Sequence, residues 1–98
     1  MDYSPETIAE AIAGTCVSYI GRENLVHLAV VLNPRYEEAD IIMALAHDSE
    51  GERRRVYGIF LDEVLPLYAQ ELALNVRFYA ADAHIFTTAA AQHSHALI

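Results

Sequence analysis

The sequence predicts a two-layer α+β domain. An antiparallel or mixed sheet of four to five strands carries two helices on one face, in the order α-β-β-β-α-β followed by a strand or a helix. Three observations predict this. An N-terminal stretch has helical spacing between start and stop signals, several later stretches favour extended backbone, and turn residues separate them. The 98 residues form a single domain, 1–98, with 82–98 as a C-terminal strand or helix plus a loose tail.

The first helix is expected in "SPETIAEAIAGTCVSYIG". Ser4 suits the N-cap, Pro5 the first helical position, and Glu6 and Thr7 the first turn. Ile8, Ile12, Cys16 and Tyr19 or Ile20 recur on one face, with Ala9 and Ala11 nearby. Gly14 weakens the helix centre and suggests close packing there, while Gly21 should end the helix as a left-handed cap. "NLVHLAVVLN" then reads as a strand closed by Asn33-Pro34, and "DIIMALAH" as a second strand after the loop "PRYEEA". "RRRVYGIFL" is expected as a third, joined to the second through "SEGE" by a hairpin. A helix follows around "LPLYAQELALN", with Pro66 in its first turn and Asn75 closing it. "VRFYAA" reads as a fourth strand. In the final segment Asp82 can cap a helix, although Ile85, Phe86, Thr87 and Thr88 favour a strand.

"HDSEGERRR" concentrates charge of both signs. With Glu50-Gly51 as a two-residue turn, Leu45 faces Val56, Met43 faces Gly58 and Ile41 faces Phe60. Strand alternation then sends Arg54 to one side and Arg53 and Arg55 to the other. Asp48, Glu50 and Glu52 neutralise them locally. The run is therefore expected as a solvated tip and not a phosphate site.

The same parity makes both sheet faces apolar. Val26, Leu28, Val30, Ile41, Met43, Leu45, Val56 and Phe60 form a bulky face suited to helices. His27, Ala29, Val31, Ile42, Ala44, Ala46, Tyr57 and Ile59 form a flatter one. Two helices can cover one face only, so the flatter face is expected to meet another subunit or a partner protein. His27, Ala29, Val31, Ile42, Ala44, Tyr57 and Ile59 would line that interface in a homodimer or higher assembly.

Composition narrows the function. The chain is 54% hydrophobic and 20% charged, with formal net charge -8, and all of its positive side chains are arginine. Such a surface disfavours direct nucleic-acid binding, which needs clustered positive charge, and is repelled by anionic membranes. No apolar run approaches the ~18 residues of a membrane span, and nothing resembles a signal peptide, so a cytoplasmic location is expected. Cys16 is the single cysteine and reads as a buried structural thiol. Five histidines include the tail pair His93 and His95, while His47 and His84 lie beside carboxylates. None shows metal or acid–base spacing, so neither metal nor cofactor is expected. No phosphate loop, nucleophile elbow or zinc motif occurs.

The sequence thus predicts a small acidic protein-interaction module without catalytic residues, such as an inhibitor, antagonist or adaptor. Tyr36, Glu37, Glu38 and Asp40, with Asp48, Glu50 and Glu52, would meet a basic surface of a partner protein, for instance a nucleic-acid-binding enzyme. The alternative is a small oligomeric enzyme or ligand-binding domain. Its pocket would lie at a subunit interface around His27, Tyr57 and Arg55.

Overall fold

The computed structural model describes residues 5–33, 35, 37–87 and 95–96, and the side chains among them except those of 5, 6, 95 and 96. Helix α1 spans Pro5–Ile20; the Ser4 cap position lies outside the described residues. Ala9, Ile12, Ala13, Cys16 and Ile20 are buried, whereas Tyr19 is 47% exposed, so Ile20 completes the apolar stripe. Gly21 ends the helix with φ 96°, and its N–H bonds to the Val17 carbonyl. A Cβ there would meet the Glu23 carboxylate at 2.7 Å, so Gly21 serves both conformation and space. At Gly14 a Cβ would meet nothing within 4 Å, so the close packing expected there is absent.

Strands β1 (Leu25–Asn33) and β2 (Glu38–Leu45) pair antiparallel, with Leu28 opposite Met43, Ala29 opposite Ile42 and Val30 opposite Ile41. An irregularity between Leu25 and His27 shifts the register and places Leu25, not Val26, in the core beneath the helices.

The expected third strand is a helix. Helix α2 runs Glu50–Ile59, widens through a π turn at Phe60–Val64, and continues as α3, Leu65–Tyr68. Helical spacing explains the difference: Val56, Phe60 and Val64, four residues apart, are all buried in one core row. Ser49 supplies the N-cap, its Oγ accepting from the Glu52 N–H at 3.1 Å. The hairpin pairings of Leu45 with Val56 and Met43 with Gly58 therefore do not exist. The wide turn precedes Pro66, which has no N–H to donate to the Asp62 carbonyl and crowds it. The Leu65 N–H bonds instead to the Phe60 carbonyl, five residues back.

This long helix is also the second helix of the prediction, begun fifteen residues early and ended at Tyr68 rather than at Asn75. It crosses from β2 to β3 (Ala73–Phe78), which pairs parallel to β2 with Ile41 opposite Val76. The result is an α+β domain with a mixed three-stranded sheet ordered β3-β2-β1. A two-residue strand, β4 (His95–Ala96), bridges to Ala29 and Val30 on the far side of β1. Residues 85–87 form a helical turn, where either a helix or a strand was expected; Thr88 and the tail pair's His93 lie outside the described residues.

The helices cover one sheet face over a core of Leu28, Val30, Ile41, Met43, Leu45, Val56, Phe60 and Val64. The flatter face is not an open interface. Ala29, Ile42 and Ala44 are 1%, 4% and 0% exposed within the single chain. The chain turns back after β3, and Tyr79, Ile85 and Phe86 pack with Val31 against Ala29 and Ile42. His27 joins this cover, its ring centroid 4.9 Å from that of Phe86. Tyr57 and Ile59 lie on α2, over the opposite face, so the predicted interface residues do not share one surface. The expectation of an uncovered face did not count a third covering element, the segment after β3.

Candidate binding cleft

Thr7, Ile8 and Ala11 on α1, together with Glu37, Tyr68, Glu71 and Leu72, line an open cleft of about 390 Å³. Local sequence builds each wall. Glu37 sits at the bend between β1 and β2 with φ 53°, a left-handed conformation that turns the chain before β2. Its carbonyl accepts from the Ala73 N–H at 2.9 Å, which ties the bend to the start of β3. The Glu71 and Leu72 N–H groups both bond to the Tyr68 carbonyl and fold the α3–β3 link tightly. Tyr68 is fixed in turn by its hydroxyl, 2.9 Å from Thr15 Oγ1.

The lining is chiefly apolar, with two carboxylates at its margin. Neither Glu37 nor Glu71 has an ion-pair partner among the described residues. Exposed Glu38 follows directly at the start of β2. A cleft of this kind can take an apolar group and hold positive charge beside it; volumes of ~300–1,000 Å³ are usual for sites that bury a small ligand or an anchoring side chain.

The predicted contact residues separate into two places. Glu37 and Glu38 stand at the cleft end of the sheet, and Tyr36 lies outside the described residues. Asp40 is half-buried opposite Asn75, and its charge helps to raise the Arg77 pKa, although a hydrogen bond with Tyr79 is the larger cause. Asp48, Glu50 and Glu52 lie at the start of α2. There Asp48 accepts two hydrogen bonds from Arg53 at 2.7 and 2.8 Å. Glu52 accepts two from Arg55 at the same distances, and Glu50 takes Arg54 at 3.2 Å. These bonds hold the Asp48 and Glu52 carboxyls below their usual range. The arginine run is therefore spent on its own helix, and its carboxylates present little net charge to a partner.

Within one chain His27 and the two α2 residues, Tyr57 and Arg55, occupy opposite sheet faces and line no common pocket. Burial pushes the Cys16 thiol up to about 12, which leaves it un-ionised and unreactive at neutral pH. Among the described residues no group of three His, Cys, Asp or Glu side chains could hold a metal ion. No helix among them is long and apolar enough to cross a membrane. The cleft itself was missed in the sequence because Ile8 and Glu71 are distant in the chain and meet only once the long helix turns back beside α1. Comparison with protein-family models, curated proteins and solved structures gives no match.

Proposed function

We propose that the chain is a docking module without catalytic residues, acting in the cytoplasm as an inhibitor, antagonist or adaptor of a partner protein. Its cleft takes an apolar side chain of the partner, flanked by lysine or arginine. The observation that carries this reading is the pair Glu37 and Glu71 on an otherwise apolar cleft, in a chain of net charge -8. Apolar burial supplies affinity, while the carboxylates select positive flanks and speed encounter. The acidic docking surface is thus narrowed to Glu37, Glu38 and Glu71, since Asp48, Glu50 and Glu52 are neutralised by Arg53, Arg54 and Arg55.

Calorimetric titration with two short peptides tests the reading. One carries leucine between arginines, and the other has glutamate in place of each arginine. The first should bind, more weakly at high salt, and the second should not. Ala11→Phe, which fills the cleft, and Glu37→Lys with Glu71→Lys should each abolish binding without unfolding the chain. Equal binding of both peptides, or binding that survives Ala11→Phe, would remove the proposal.

A further inference from the structure

The outer edge of the sheet carries a second, independent surface. In a β-strand the N–H and C=O of one residue point to the same side, and successive residues alternate sides. The Ala73 N–H reaches the Glu37 carbonyl and the Tyr79 N–H reaches the Met43 carbonyl. Residues 73, 75, 77 and 79 are thereby turned toward β2, and Leu74, Val76 and Phe78 turn their main-chain groups outward. Among the described residues those outward groups have no backbone partner. Many proteins blunt such an edge with proline, a bulge or several charges. Here Arg77 is the single charge on a six-residue strand.

An apolar flank runs beside this edge. The Arg53 guanidinium lies 5.9 Å from the centre of the Phe78 ring, which sets that side of α2 above the end of β3. Tyr57 and Leu61 follow Arg53 at four-residue steps on the same side of the helix. They are large apolar side chains, 44% and 41% exposed.

We infer that two copies of this chain join edge to edge through β3, antiparallel about Val76, making one continuous sheet across a twofold axis. The second copy is favoured because the strand is complementary to itself in that register. Leu74 then faces the partner's Phe78, and Val76 faces the partner's Val76, each such pair exchanging two main-chain hydrogen bonds. On the other face Asn75 stands opposite the partner's Arg77, so no like charges meet directly. Helices pack ~8–10 Å apart, about two strand spacings. The Tyr57–Leu61 rows of the two copies thus approach each other above the joined strands. This assembly leaves the cleft at Glu37 and Glu71 to its own partner and does not depend on it.

Sedimentation velocity over a range from low to high micromolar concentration is the test. The wild type should show a monomer–dimer equilibrium that strengthens with added salt, because screening relieves repulsion between two chains of net charge -8. Asn75→Lys gains Asp40 as a neighbour within its own chain but sets lysine opposite the partner's Arg77 twice over. It should weaken the dimer about tenfold while sparing the subunit. Val76→Pro removes an outward N–H that bonds no backbone group among the described residues, so the fold should persist and the dimer should be lost. Amide exchange at Leu74, Val76 and Phe78 should slow as the dimer forms. A wild type that stays monomeric throughout, or a dimer unaffected by Asn75→Lys, overturns the inference.

Discussion

Thr15 and Tyr68 meet through a hydroxyl–hydroxyl hydrogen bond of 2.9 Å, 53 residues apart in the chain. Thr15 Oγ1 also donates to the Ala11 carbonyl at 2.8 Å, so Tyr68 donates to Thr15 in turn. This contact fixes the end of the long helix against α1 and sets the width of the cleft. Tyr68→Phe keeps the ring and removes the donor. It should cost about 1 kcal/mol in urea unfolding, and it should weaken peptide capture by more than Thr7→Ala does, since it loosens a wall and not merely its rim.

Phe86 holds the cover of the second sheet face, touching His27 at 4.9 Å and Tyr79 edge-on at 6.3 Å. That cluster is separate from the main core. Phe86→Ala should therefore cost about 2 kcal/mol, below the ~3–5 typical of a fully buried phenylalanine. It should also expose Ala29 and Ile42 while the helical face stays packed. Increased binding of a hydrophobic dye with unchanged far-ultraviolet dichroism is the expected result. A loss of helix signal would mean that the two clusters unfold as one.

The sequence was most legible where period and punctuation agreed. Ile12, Cys16 and Ile20 between Pro5 and Gly21 mark α1, and β-branched residues before Asn33 mark β1. It misled at 53–61, where parity happened to match Leu45 with Val56 and Met43 with Gly58. Two helical signals stood in the same stretch: the Ser49–Glu52 spacing of an N-cap, and Glu50–Arg54 and Glu52–Arg55 at helical intervals. Pro66 also argued for a helix start that the π turn at Phe60–Val64 makes unnecessary. Of the site, Glu37 was legible as part of an acidic loop cluster with Glu38 and Asp40. Its juxtaposition with Glu71 and Ile8 was not, because a parallel crossover brings them together.

The carboxylates at the start of α2 should give a specific acid response. Hydrogen bonds from Arg53 and Arg55 lower the Asp48 and Glu52 pKa values in the folded chain. Their unfolded values lie near ~3.9 and ~4.3. The stabilisation they provide is thus complete above that range and is lost as pH falls through the lower folded values. Nuclear magnetic resonance titration should place both midpoints below the usual range. Helicity of residues 50–59 should decline there first, and Asp48→Asn with Glu52→Gln should flatten the response. Midpoints at ordinary values would show these exposed pairs to be too transient to matter.

Opposite effects of two small substitutions should report whether α2 is the helix described. Ser49→Ala removes the side-chain acceptor of the Glu52 N–H and should cost about 1 kcal/mol. Gly58 is a helix-interior residue whose added Cβ would meet nothing within 4 Å. Gly58→Ala should therefore stabilise the chain by roughly 0.5–1 kcal/mol, through lower backbone entropy in the unfolded state and better helix propensity. In a hairpin neither result holds: Ser49 would cap nothing, and alanine in a strand brings no helical gain. Gly14→Ala, also open within a helix, serves as the control and should stabilise by a similar amount. Thermal unfolding of the three variants decides the matter. A neutral Gly58→Ala beside a stabilising Gly14→Ala would speak against α2, whereas gains from both and a loss from Ser49→Ala fit one capped helix crossing from β2 to β3.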